Sequence, residues 1–207
     1  MLNEQADAQD CERLIALFHQ VFYPDYRTRL VRGGDEPLYL PGIQPHQDHQ
    51  IIFARGFFTS ALHELAHWCV AGPERRQQED FGYWYLPDGR TPEQQRAFEQ
   101  VEVVPQAYEQ CFTLASGRRF HISADNLSGN PGDTRAFERQ VHQLTLDLLF
   151  NHQLKGRAQV LFDAICSAWQ RPFSQWQAEA RQTLEARLVE LDQLGRTEAC
   201  RRVARVT

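Results

Sequence analysis

The sequence predicts an α+β fold that is predominantly helical, in a single domain covering 1–207 with its core in 7–195. Three observations predict it. Apolar residues recur at helical spacing near the start of the chain and again over its C-terminal part. Runs rich in β-branched and apolar residues are few and short, so strands are few and short as well. Between these regions an apolar helix carries His63-Glu64-Leu65-Ala66-His67, which puts two histidines one turn apart on one face.

Taken in order, Leu14, Ile15, Leu17, Phe18, Val21 and Phe22 predict an amphipathic helix from about Asp7 to Phe22, ended by Pro24. His19 falls on its surface or boundary. Tyr23 to Gln50 is rich in Gly, Pro and Asp and reads as a long loop with one short strand, Leu38-Tyr39-Leu40. Arg27, Arg29 and Arg32, beside Gly33-Gly34-Asp35-Glu36, either line a substrate entrance or face solvent. His46-Gln47-Asp48-His49 is the rival ligand cluster, with His49 read first as a hydrogen-bonding histidine. It leads into a strand at Gln50 to Ala54.

The pentad helix follows, with Thr59 or Ser60 as its cap and Gly72-Pro73 as its stop. Glu74 to Asp80 is a short charged helix or turn, and Phe81-Gly82-Tyr83-Trp84-Tyr85 is an aromatic cluster suited to walling a pocket or to plain packing. Thr91-Pro92-Glu93-Gln94 opens a helix with a capping box and a proline at its first position. Pro105 kinks or restarts that helix, which continues from Gln106 until Gly117. Arg119-Phe120-His121-Ile122-Ser123 reads as a strand, followed by a turn in which Asp125 and Asn126 are placed to orient a ligand. Three helices finish the chain, about Thr134 to His152, Arg157 to Gln170 and Ser174 to Leu194 before Gly195, with His142 and His152 on the surface and a frayed basic end from Arg196.

Composition narrows the class. A hydrophobic content of 42% with 24% charged residues describes an ordinary globular protein, and a net charge of -5 gives no pull toward nucleic acid or an anionic membrane. Five scattered cysteines, odd in number and without a C-x-x-C pair, point to reduced thiols. The polar, acidic Met1 to Asp10 is not a secretory signal, and no apolar run reaches the length of a membrane span. The expectation is a cytoplasmic protein.

Two histidines one turn apart can share a divalent ion, with Glu64 beside them in an acid/base or supporting role. The pattern makes this a zincin-like metal helix in search of a third ligand. A carboxylate embedded in apolar surroundings needs a cation or hydrogen bonds, which favours Glu102, between Val101 and Val103, over Glu99 one turn earlier. With zinc such a set is a gluzincin-type peptidase-like site in which Glu64 is general base. With ferrous iron it leaves positions open for dioxygen and substrate.

The residues also resemble a known family, the bacterial elongation factor P hydroxylases. The resemblance runs through Ile52-Phe53-Ala54-Arg55-Gly56-Phe57-Phe58, then Ser60 to Cys69 with the pentad. It continues through Asp80 to Tyr85, Pro87-Asp88-Gly89-Arg90, Phe98-Glu99-Gln100-Val101-Glu102-Val103, Pro105-Gln106-Ala107 and Asp125-Asn126-Leu127. The resemblance implies hydroxylation of the β-lysylated lysine of elongation factor P, with Fe(II) as the metal (zinc in purified protein being the variant) and dioxygen as cosubstrate. It implies His63, His67 and Glu102 as ligands. Arg55, Asp80, Tyr83 and Trp84 become the candidate substrate contacts, with Asp35 and Glu36 attracting a cationic side chain. No motif for a 2-oxoglutarate cosubstrate is present.

Overall fold

The computed structural model describes residues 2–44, 46–80, 89–124 and 133–203. In chain order these form α1 (Leu2–Tyr26), β1 (Thr28–Arg32), β2 (Leu38–Leu40), β3 (His49–Phe53), α2 (Phe58–Val70), α3 (Pro92–Ala115), α4 (Arg135–Phe150), α5 (Gly156–Ala168) and α6 (Phe173–Val203). Short 3-10 turns lie at Ala54–Gly56 and Arg75–Gln77. The fold is mostly helical with one small sheet, as expected.

The sheet has the order β1-β3-β2, with β1 parallel and β2 antiparallel to β3. β1 falls inside what reads as a loop, because its two-residue alternation hides among arginines. Thr28 and Leu30 are buried while Arg29 is exposed. None of those arginines lines the cavity that opens at His63 and His67. Arg27 and Arg29 pair with Asp48 at 3.4 and 2.5 Å, and Arg32 pairs with Glu12 at 3.1 Å, tying the sheet edge to α1.

α1 continues past Pro24 to Tyr26 instead of ending there. Proline removes one helical hydrogen bond, and this close to the terminus packing outweighs the loss. Phe22 and Tyr26 both meet Trp68 of α2 edge-on, at 5.0 and 5.3 Å between ring centroids. α3 likewise runs unbroken through the buried Pro105, held by its packing on α2, α4 and α5. Its predicted capping box is present, Thr91 and Gln94 exchanging both hydrogen bonds.

The start of α2 differs from expectation. Neither Thr59 nor Ser60 caps it; Phe57 is the N-cap residue, and its side chain makes no cap hydrogen bond. The Phe58 amide instead donates to Asp7 Oδ2 of α1 at 3.2 Å, so a distant carboxylate takes the positive end of the helix. Arg118 locks this arrangement by binding Asp7 and Asp10, each at 2.6 Å.

Residues 119–123 are not a strand. Ser123 receives its two backbone partners from a side chain, the Gln106 amide, which donates to Ser123 O at 2.8 Å and accepts from Ser123 N at 3.1 Å. His142 is buried, not on the surface. Its Nδ1 lies 3.0 Å from Gln110 Oε1 and its Nε2 lies 3.3 Å from Glu138 Oε1. His152 is exposed as expected. α6 does not stop at Gly195 but runs on to Val203; a helical glycine costs only about 1 kcal/mol, which its helix-forming neighbours absorb.

One hydrophobic cluster joins these elements, from Leu14 and Phe18 of α1 through Ile51 and Phe53 of β3 and Leu62 and Leu65 of α2. It continues to Phe112 of α3, Val141 of α4, Ile165 of α5 and Trp176 of α6. Cys11, Cys69, Cys111 and Cys166 are free thiols.

Candidate metal centre

α2 buries one face, Ala61, Leu62, Leu65 and Ala66, against the core. That leaves His63 and His67 aligned on the flank that α3 crosses. α3 brings Glu102, only 4% exposed, toward them. The carboxylate is buried because of the helix face it occupies and not because of an apolar run. Val101 beside it is 51% exposed.

The ligand atoms of His63, His67 and Glu102 all lie within 4.8 Å of one another. The two Nε2 atoms are 3.1 Å apart; His63 Nε2 is 3.8 Å from Glu102 Oε2, and His67 Nε2 is 3.4 Å from Glu102 Oε1. Ligands about 2.1 Å from a metal stand about 3.0 Å apart when at right angles and about 3.4 Å apart in a tetrahedron. The triangle therefore fits one divalent ion, and the donor set of two imidazoles and a carboxylate suits zinc or iron. Glu99 is not part of it; its carboxylate accepts from Gln95 Nε2 at 3.1 Å.

The electrostatics match a cation. Burial opposes a charge on His63, yet Glu109, Glu102 and Glu64 outweigh it and push its pKa up to about 10. His67 moves the other way, held well below the usual imidazole value by burial and by His63 and Arg75. Glu64 is raised to about 7, first by burial, with Glu102, Glu109 and Asp80 adding to it against the opposing pull of His63. Three carboxylates around two histidines in a buried place favour positive charge at the point the ligands share.

Above the triangle opens a cavity of ≈ 500 Å³, with Glu64, Phe98 and Phe120 among its walls and Arg55 and Asp35 on it as well. Arg55 Nε lies 3.7 Å from Asp35 Oδ1, and both side chains are largely exposed. Thr59 and Ser60, freed from capping, line the same cavity. Asp80 does not. It lies with Glu64 and His67 on a small void of ≈ 30 Å³, bonded to Arg75 at 2.5 Å, and its backbone exchanges two hydrogen bonds with Tyr39 of β2. Tyr83, Trp84 and Tyr85, and Asp125 and Asn126, fall outside the described residues. The rival cluster is structural: His49 Nδ1 accepts from the Gly42 amide at 3.1 Å and stands 2.9 Å from the Tyr39 hydroxyl, while Asp48 binds Tyr23 and the arginines.

Sequence reasoning missed Glu109, whose Oε2 lies 2.8 Å from His63 Nδ1. The signal was there as periodicity. Gln95, Glu102, Gln106, Glu109 and Thr113 are polar, buried and spaced to share one side of α3, a polar stripe where a scaffold helix would be apolar.

A family model described as elongation factor P hydroxylase matches residues 17–180, which include His63, His67 and Glu102. The chain belongs to the elongation factor P hydroxylase family. Within this family, the protein of Haemophilus influenzae named elongation factor P lysine hydroxylase is 54% identical over 154 residues, covering 74% of this chain and 86% of that relative. The resemblance drawn from the motif blocks is thus correct. The match ends within α6, so the residues of the triangle and of the cavity lie inside it and the continuation of the helix to Val203 lies outside it.

Proposed function

We propose that this protein hydroxylates the β-lysylated lysine side chain of translation elongation factor P, with Fe(II) held by His63, His67 and Glu102 and dioxygen as cosubstrate. The observation that carries the reading is the convergence of two imidazoles and one carboxylate within 4.8 Å at a ≈ 500 Å³ cavity, in a member of a hydroxylase family. An unactivated C–H bond does not yield to acid or base groups, and iron with dioxygen supplies the oxidising power that side chains lack.

The residues of the chain do the rest. Glu64, Glu102 and Glu109 make the floor of the cavity negative, which draws in a long cationic side chain. Phe98 and Phe120 exclude water around it. Arg55 and Asp35, exposed at the cavity, meet the protein that carries the lysine. Glu64, with a pKa near 7, holds or releases a proton beside the ligands. We read α2 as a zincin-like motif helix, residues 1–207 as one hydroxylase domain with its core in 7–195, and the setting as the cytoplasm. None of the helices described is long and apolar enough to cross a membrane.

The test is intact-mass analysis of lysylated elongation factor P incubated with the iron-loaded protein and an added two-electron reductant, because one atom of dioxygen enters the C–H bond while the other leaves as water. Mass equal to about one oxygen atom is gained only with dioxygen and an intact triangle. An unchanged mass with iron bound removes the reading. A second reading, a zinc-dependent peptidase-like hydrolase, is favoured by one observation, a half-buried Glu64 of raised pKa next to the histidine pair.

A further inference from the structure

Each of the two imidazoles must present its Nε2 lone pair to the shared point, which requires that any ring proton sit on Nδ1. For His63 the structure contains a group that enforces this. Glu109 Oε2 lies 2.8 Å from His63 Nδ1, and Glu109 is 9% exposed. The His63 ring is therefore gripped from both ends by one helix. Glu102 of α3 stands 3.8 Å from Nε2, and Glu109, seven residues on along the same helix, takes Nδ1. A seven-residue spacing returns to the same face after two turns, about 10.5 Å along the axis, so α3 can span the ring of a histidine that α2 inserts between the two carboxylates.

We propose that Glu109 is the positioning residue of the metal centre. It accepts the Nδ1–H bond of His63, fixes the tautomer and plane of the ring, and raises the basicity of the Nε2 that faces the metal. An acceptor carboxylate behind a ligating histidine has this effect generally. A carboxylate placed only to neutralise a charge would not need this alignment with the ring nitrogen that points away from the triangle. Nor is the contact a lone surface pair, since Glu109 is buried and His63 half-buried where α2 and α3 pack together. The inference rests on the metal triangle of the proposed function, and its test separates the two.

The experiment titrates the metal-free full chain with Co(II), following the visible absorption of the bound ion, in wild type, Glu109→Gln and Glu109→Ala. Zn(II) competition gives the affinities. Glu109→Ala should weaken Co(II) by about 10–100-fold, the usual cost of removing such a partner. Glu109→Gln keeps an acceptor oxygen without the charge and should fall between, by about 3–10-fold, with an altered absorption spectrum. In the Zn(II)-loaded wild type, long-range proton–nitrogen NMR should show His63 protonated on Nδ1 with slowed exchange, and Glu109→Gln should speed that exchange. Circular dichroism checks that each variant is folded; should Glu109→Ala fail to fold, the isosteric Glu109→Gln decides. Wild-type affinity and spectrum in a folded Glu109→Gln, with unchanged His63 exchange, overturn the role of Glu109. A wild type that binds neither Co(II) nor Zn(II) overturns the metal triangle itself.

Discussion

Arg157 holds the end of the helix that carries both histidines, and its replacement gives a sharp test of how the site is built. α2 ends at Val70 with its last carbonyls lacking helical partners. From the first turn of α5, Arg157 Nη2 donates to the carbonyls of Trp68, Cys69 and Ala71 at 2.8, 3.2 and 2.5 Å. The same guanidinium stacks over the Trp68 ring at 4.5 Å and over Tyr26 at 5.5 Å. Hydrogen bonds from a charged donor are worth about 1.5–3 kcal/mol. A cation at a helix C-terminus adds about 0.3–1 kcal/mol, and a ring contact about 0.5–1 kcal/mol where water has access. Because one nitrogen is shared among three acceptors and Arg157 is only partly buried, the lower ends apply, and Arg157→Ala should cost about 2–4 kcal/mol. Arg157→Lys keeps the charge but not the planar fork and should cost about half as much. Urea denaturation followed by helical circular dichroism measures it, and with a slope of about 2 kcal/mol/M the midpoint should drop by about 1–2 M. Since His67 sits in the turn that Arg157 closes, Co(II) affinity should weaken several-fold as well. A loss below about 0.5 kcal/mol in Arg157→Ala would refute the reasoning, leaving the helix end held by Trp68 packing alone.

The ligand set predicts that His63→Ala, His67→Ala and Glu102→Ala each lose stoichiometric metal by elemental analysis, whereas Glu99→Ala, whose carboxylate serves Gln95, retains it. Metal content that survives His67→Ala would place the site elsewhere. Glu64 is expected to give no general peptidase activity: unfolded casein incubated with zinc- or iron-loaded protein should stay intact, and metal-dependent cleavage abolished by Glu64→Gln would favour the hydrolase. Glu138 predicts a pH dependence. Burial works against its charge, but Arg187, at 2.8 and 3.1 Å, and His142 hold its pKa below the usual carboxylate value of 4.5. The depressed folded pKa makes its contribution fully present above that value and lost as pH falls through the folded value. Glu138→Gln should therefore lower the urea midpoint at pH 7, with the gap to wild type closing in more acidic buffer. A gap that stays constant would remove Glu138 as its source.

The sequence by itself determined the helical class, the pentad helix, the capping box that starts α3 and the family. Each rests on residues close together in the chain, where spacing translates directly into a shared helix face. It also carried Glu102 ahead of Glu99, although for an incomplete reason, since Val101 turns out to face solvent. Only the tertiary structure decided which carboxylates meet the histidines. His63 and Glu109 are 46 residues apart, and their 2.8 Å contact depends on how α3 crosses α2. The same holds for the errors. Pro24 predicts a helix end and Pro105 a kink or restart, yet the aromatic cluster on Trp68 and the packing around α3 outweigh the one hydrogen bond that each proline removes. Thr59 and Ser60 look like caps by position, but Asp7, 51 residues from Phe58, reaches its amide from another helix and leaves those hydroxyl residues to the cavity. Local propensity sets which elements form. Contacts between distant elements set where they end and which side chains converge, because those energies do not exist until the chain is folded.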